Sequence, residues 1–166
     1  MLIFPAIDLS QGCVVRLFQG NYEQKKIYDD DPPAVAKGFA DLGATCLHVV
    51  DLDGAKDGFS QNANVVEQIA KSGLFVQVGG GIRNMERLER YFSAGVGRAI
   101  LGTAAVKNPA FLKEALAEYG EKIAVGVDAK NALVAVNGWL EVTEQPAVDF
   151  CRMLADIGVR TVIYTD

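Results

Sequence analysis

The sequence predicts an α/β chain of the (βα)8 TIM-barrel class, built from two similar halves, and three observations carry that prediction. Short apolar runs alternate with longer amphipathic segments, which is the pattern of repeated βαβ units. Each run closes on polar residues or glycine: Asp8, Asp51 with Asp53, Gly79 to Gly81, Gly102-Thr103, Asp128, and Thr165-Asp166. Strand ends of a (βα)8 barrel converge on one face, where such barrels carry out their chemistry. The third observation is an echo. Phe4-Pro5-Ala6-Ile7-Asp8 leads through a short turn into Cys13-Val14-Val15-Arg16-Leu17, and Val125-Gly126-Val127-Asp128 leads through a similar turn into Leu133-Val134-Ala135-Val136. Such internal similarity marks a duplicated chain. A doubly wound nucleotide-binding fold is the competing α/β class, but it requires a glycine fingerprint after the first strand, where this chain has Asp8-Leu9-Ser10-Gln11-Gly12.

Taken in order, strands are expected at 2–8, 45–51, 74–79, 97–101, 122–128 and 160–165, each rich in Val, Ile, Leu or Phe. Their nearly continuous apolarity suits strands buried on both faces. Helices are expected at 32–43, 62–72, 84–95, 108–119 and 145–157. Asn108 before Pro109 reads as an N-cap with proline at the first helical position, and Gly43, Gly73, Gly95, Gly120 and Gly158 mark helix ends. No linker or low-complexity tract interrupts the pattern, so residues 1–166 read as a single barrel domain. A complete barrel of this class needs roughly 200 residues or more. The expectation is therefore a barrel truncated after strand 6, with exposed edges at its first and last strands.

Composition narrows the function. Half of the 166 residues are hydrophobic, enough for a real core, and no run of about 18 apolar residues exists to span a membrane. The apolar N-terminus lacks a basic region and meets Asp8 too early for a signal peptide, so a cytoplasmic location is expected. A net charge of -5 argues against nucleic acid as a partner. Cys13, Cys46 and Cys151 are odd in number and widely spaced, which indicates neither disulfides nor a zinc site; they are expected as small buried hydrophobes.

Several motifs carry chemistry. Val78-Gly79-Gly80-Gly81-Ile82-Arg83-Asn84 ends the third strand and opens a helix, so its backbone amides can hold phosphate. Gly102-Thr103, at the next strand tip, offers further amides and a hydroxyl. Asp51 and Asp53 point the same way if their strand persists, to orient a basic group or ligand hydroxyls; the plainer reading is a capping carboxylate or one paired with Arg83. No metal-ligand spacing surrounds them. His48 is the single histidine, inside the second strand, and reads as a packed polar residue. Without a second histidine, Ser-His and Cys-His mechanisms are excluded, and proton transfer falls to carboxylates. Trp139 either stacks on a planar ring or covers the local hairpin.

Together, Phe4-Pro5-Ala6-Ile7-Asp8-Leu9, Gly12 to Gly20, His48-Val49-Val50-Asp51-Leu52-Asp53-Gly54-Ala55, Gly79-Gly80-Gly81-Ile82-Arg83, Gly102-Thr103-Ala104, Val127-Asp128 and Gly138-Trp139 resemble one family. It is the phosphoribosylformimino-5-aminoimidazole carboxamide ribotide isomerases of histidine biosynthesis, and the motifs follow in order along the whole chain. The resemblance implies a two-half (βα)8 barrel with no metal or organic cofactor. It implies an Amadori rearrangement of an aminoaldose to an aminoketose on a substrate with a phosphate at each end. By the same resemblance, Asp8 is the general base, Asp128 the acid that assists ring opening, and Thr165 a positioning hydroxyl. One phosphate falls on Gly81 and Gly102-Thr103, and Trp139 stacks on the aminoimidazole. Arg16 and Arg83 complete the expected substrate- and phosphate-binding set. The family continues beyond Thr165-Asp166 with a Thr-Asp-x-x-x-Asp-Gly pattern and glycine-rich loops for the second phosphate, and a further acidic residue there could share the acid role. A small bis-phosphorylated molecule is the implied partner, with the full-length protein a monomer and the truncated chain prone to self-association. Three alternatives stay open: an imidazole glycerol phosphate synthase cyclase, although that family resembles Pro-Cys-Leu-Asp where this chain has Pro5-Ala6-Ile7-Asp8; a dual-substrate isomerase; and an inactive phosphate-binding barrel fragment.

Overall fold

A computed structural model describes residues 1–18, 21–58, 61–137 and 141–166. The strands are β1 (Ala6–Ser10), β2 (Cys13–Phe18), β3 (Asn21–Asp29), β4 (Cys46–Asp51), β5 (Phe75–Gly79), β6 (Arg98–Leu101), β7 (Ile123–Lys130), β8 (Leu133–Val136), β9 (Glu141–Pro146) and β10 (Thr161–Thr165). The helices are α1 (Pro32–Asp41), α2 (Leu52–Asp57), α3 (Ala63–Ile69), α4 (Met85–Ser93), α5 (Thr103–Lys107), α6 (Pro109–Tyr119) and α7 (Ala147–Asp156).

Strands β1, β4, β5, β6, β7 and β10 pair in parallel in that order, each beside its predecessor in the alternation. A doubly wound sheet requires a point where strand order reverses. None occurs in this series, so the architecture is an arc of a (βα)8 barrel. Its six parallel strands are the six expected from the sequence, with ends displaced by a few residues. The largest displacement is at β1, which begins at Ala6 while Met1, Leu2 and Ile3 lie exposed outside it. Pairing decides this boundary: Pro5 offers only its carbonyl, taken by the His48 N–H, whereas Ser10 is held by β2.

Alternation along the strands creates two environments. Leu47, Val49, Val76, Val78, Ala99, Leu101, Val125 and Val127 are fully buried in the core that the sheet shares with its helices. Helices contribute Ala36, Val66, Ile69, Leu88, Tyr91, Phe111, Leu112, Phe150 and Leu154 to it. The other strand face carries His48, Val50, Gly79, Ile100, Gly126 and Ile163, and it lines a cavity. Glycine at 79 and 126, on either side of Ile100, leaves that face without bulk; a Cβ at either position would come within 3.4 Å of Ile100.

Helix boundaries obey the expected local chemistry. Asn108 accepts a hydrogen bond from the Phe111 N–H with Pro109 opening α6, and Asn84 caps α4 through the Arg87 N–H. The five expected stop glycines all have positive φ. The short helices α2 and α5 and the strands β3 and β9 were not expected as elements. Each is polar or brief, and the antiparallel ladders β2–β3 and β8–β9, rather than propensity, make the latter two strands. Of the cysteines, only Cys46 is fully buried; Cys13 and Cys151 are partly buried, against expectation, Cys151 packing against the edge of the core from α7 and Cys13 sitting at the turn that closes the β1–β2 hairpin. On the last unit, Val162 and Tyr164 of β10 and Val148 and Met153 of α7 are exposed apolar residues. No helix of the described residues is long and apolar enough to cross a membrane.

Candidate active site

The aspartate echo becomes two equivalent hairpins. Asp8 lies opposite Val15 and Asp128 opposite Ala135, with Ser10↔Cys13 and Lys130↔Leu133 closing the two ladders in the same register. Both connections are two-residue turns with positive φ throughout, Gln11-Gly12 at 53° and 78° and Asn131-Ala132 at 54° and 63°. That geometry matches the twist of paired strands and tightly fixes each hairpin. On its other side Asp8 neighbours Val50 of β4, and Asp128 neighbours Thr165 of β10.

Both carboxylates line one cavity of about 1100 Å³. Arg16, Tyr22, His48, Gly79 to Gly81, Arg83, Gly102, Thr103, Lys130, Asn131, Thr165 and Asp166 share its wall. Every expected site residue is thus gathered there except Trp139, which lies outside the described residues. Burial raises the Asp8 carboxyl above its ordinary value while the Arg16 charge opposes the rise. Burial likewise raises Asp128, opposed by a hydrogen bond from Thr165. Like burial with unlike partners, a full cation at one site and a hydroxyl at the other, allows the two carboxyls to hold different protonation states.

The glycine motif has a steric reason as well as a possible ligand. Gly80 has φ 110° and a Cβ there would fall 2.1 Å from the Asp51 carbonyl oxygen; Gly81 has φ 72° and its Cβ would fall 2.3 Å from the Gly54 carbonyl oxygen. These residues let the β5 tip pack on the start of α2. Gly81 still faces the cavity beside Gly102, which supplies no side chain to cap α5 and so leaves the first amides of that helix to a ligand. The Thr103 hydroxyl accepts from the Asn137 N–H at 2.9 Å and keeps its own proton to donate. Arg83 lies across Gly58, where a Cβ would meet its guanidinium at 2.3 Å.

Asp51 and Asp53 correct the strand-based expectation. Strand β4 ends at Asp51, which turns into α2 as its N-cap, so the two side chains do not alternate on one face. Asp51 is fully buried and accepts from the Gly54 N–H at 3.0 Å and from Asn62 Nδ2 at 2.7 Å; it caps rather than pairing with Arg83. Asp53 accepts from Ser10 Oγ at 2.9 Å, the Gln11 N–H at 2.6 Å and Asn62 Nδ2 at 2.9 Å. Burial pushes the Asp53 carboxyl up, but these bonds and the Lys25 charge outweigh it and hold it below its ordinary value. Asn62, itself buried, also accepts from the Gly12 N–H at 2.8 Å, tying the Asp8 hairpin to β4. Replacing Asn62 by Leu removes one hydrogen bond from each of two carboxylates and leaves the Gly12 N–H unpaired at once. At about 1–3 kcal/mol for the unpaired amide and about 0.5–1.5 kcal/mol for each lost hydrogen bond, partly relieved by water, the expected loss is roughly 2–4 kcal/mol in a urea melt. A loss below about 1 kcal/mol would mean that the hairpin is held elsewhere.

Sequence reasoning missed Tyr22, Lys130 and Asn131 as cavity residues. Tyr22 donates to the Leu52 carbonyl at 3.4 Å, and burial, then the surrounding Asp53, Asp57, Asp8 and Asp51 charges, raise its hydroxyl pKa. The one signal for Tyr22 was an aromatic residue in a polar stretch; Lys130 and Asn131 belonged to a turn whose echo of Gln11 was visible.

The family model described as "Histidine biosynthesis protein" matches residues 2–166. A Listeria welshimeri protein named a 1-(5-phosphoribosyl)-5-((5-phosphoribosylamino)methylideneamino) imidazole-4-carboxamide isomerase is 50% identical over 167 aligned positions, covering 100% of this chain and 70% of that protein. Similarly named proteins of Oceanobacillus iheyensis, at 48% identity with 100% and 70% covered, and Ruminiclostridium cellulolyticum, at 50% with 100% and 71% covered, align over the same length. With the two matched hairpins facing one cavity and similarity along the whole sequence, the chain belongs to the histidine biosynthesis protein family.

Proposed function

We propose that the chain is an aldose-ketose isomerase acting as its relatives' name indicates, on a phosphoribosylamino-methylidene-aminoimidazole carboxamide, by an Amadori rearrangement. The observation that supports this most is the presence of Asp8 and Asp128 at matched hairpin positions facing one cavity, each beside a different partner. Asp128, whose carboxyl burial raises, acts in its protonated form and donates to the ring oxygen as the C1–O bond breaks, giving the open-chain iminium. Asp8, ionised beside Arg16, then removes the C2 proton to form the enaminol. Collapse to the ketone takes a proton up at C1 and releases one from the C2 hydroxyl, so both carboxyl groups end as they began. Amides at Gly81 and Gly102, with Thr103, hold one substrate phosphate, and Arg83 and Arg16 lend positive charge to the anionic ligand. Two carboxylates facing one cavity suit acid/base chemistry of either kind, so substrate identity is the test: the aminoaldose should convert to the aminoketose, while the cyclase substrate stays unchanged. Cyclisation without isomerisation would overturn the assignment.

The division of roles predicts the pH profile. The rate kcat/KM needs Asp8 ionised and Asp128 protonated, so it falls at acid pH as Asp8 gains a proton and at alkaline pH as Asp128 loses one. Arg16→Met removes the charge that lowers Asp8, so the acidic limb should move to higher pH. Thr165→Val removes the bond that lowers Asp128, so the alkaline limb should move to higher pH. If Arg16→Met moved the alkaline limb instead, acid and base would be exchanged.

A further inference from the structure

We propose that Gln77 is a positioning residue that holds His48 as its neutral Nε2–H tautomer, so that the inner sheet face presents a fixed N–H donor to the substrate. The substrate named in this inference rests on the isomerase reading; the tautomer does not. His48, Gln77 and Arg98 occupy one level of three adjacent parallel strands, in the register His48↔Gln77↔Arg98. Arg98 has only donors, and its guanidinium lies 3.3 Å from Gln77 Oε1. The amide orientation follows: the oxygen faces Arg98 and the NH2 group faces His48, 2.8 Å from Nδ1. A donor against Nδ1 requires a lone pair there. The ring proton of a neutral His48 must therefore sit on Nε2, the nitrogen that remains for the cavity His48 lines.

The same contact opposes the imidazolium, because a proton on Nδ1 would set two N–H donors face to face. Burial acts in the same direction and pushes the His48 pKa down. Charged groups that share the cavity with His48 include Asp8 of β1, Arg16 of β2, Arg83 after β5, and Asp128 and Lys130 of β7, while Arg98 of β6 reaches His48 only through Gln77. In the ladder Ala6 pairs with His48 and Asp8 with Val50, so the donor lies one level below the carboxylate on the neighbouring strand. A neutral donor there selects an acceptor, a sugar hydroxyl or carbonyl oxygen of the opened substrate, and cannot protonate the Asp8 base.

Because His48 is the only histidine, ring ¹⁵N spectra of histidine-labelled protein read it without assignment. At neutral pH the free protein should show a pyridine-type Nδ1 and a pyrrole-type Nε2. Gln77→Glu, which replaces the facing donor with a carboxylate acceptor, should place a proton on Nδ1. A wild-type spectrum of the Nδ1–H form or of an imidazolium, or an unchanged spectrum in Gln77→Glu, would overturn the inference. On the kinetic side His48→Phe should lower kcat/KM by at least about tenfold, with His48→Gln recovering part of the loss through its amide donor. A His48→Phe enzyme as active as wild type would overturn the donor role. Absence of turnover in wild type counts against the isomerase reading alone, since the spectrum is taken without substrate.

Discussion

Replacing Asp8 by Asn gives a folded protein whose turnover falls by about 10³-fold or more, the upper part of the range for loss of a positioned proton acceptor. The variant keeps the hairpin, because the turn is closed by backbone pairing to β2 and by the Gln11 and Gly12 N–H groups donating to Asp53 and Asn62, none of which uses the Asp8 side chain. It should also be more stable than wild type at neutral pH. The sign follows from burial: a carboxyl with a raised folded-state pKa contributes stability that is present below its unfolded pKa of about 3.9 and is lost as pH rises through the folded value. Ionisation of the carboxyl removes that contribution, whereas an amide carries no such penalty, so a small gain in melting temperature is expected. Steady-state assays and thermal melts on one sample check both halves. An inactive and destabilised variant would mean that Asp8 holds the fold, and an active one would remove it from the chemistry.

The opposite result is expected at Gly80. Gly80→Ala puts a methyl group 2.1 Å from the Asp51 carbonyl at a φ of 110°, so overpacking and backbone strain coincide against main chain that cannot rotate away. Each is worth roughly 1–3 kcal/mol, giving a combined loss of about 2–6 kcal/mol. A domain of ordinary stability has about 5–15 kcal/mol in all, so expression as insoluble protein or a much lowered melting temperature should follow. A melt within a degree of wild type would show that the junction between β5 and α2 is not packed as described.

These two positions show what the sequence could and could not disclose. The parallel strands were readable because burial on both faces forces continuous apolar runs, as in Leu47 to Val50 and Ile123 to Val127. Helix ends were readable because caps and stop glycines act through neighbouring residues. Gly79 to Gly81 were noticed for their amides, yet Gly80 is required by contact with a segment distant in sequence, which no local pattern reveals. Asp51 and Asp53 misled for the same reason: alternation assumes a continuing strand, and the partner that ends it, Asn62, approaches only after α2 has turned the chain. Asp8 and Asp128 were found because duplication writes long-range geometry twice into a linear chain.

The shared register of the two hairpins also acts as a ruler. From β1 to β7 the chain crosses four interstrand steps, through β4, β5 and β6, each of about 4.8 Å, or roughly 19 Å along the arc. The separation of the two carboxylates is therefore fixed by hydrogen-bonded ladders and by the curvature of the sheet. Helices and connecting loops contribute nothing to that length. Insertions in them can change what the mouth admits while the distance between the two aspartates stays constant.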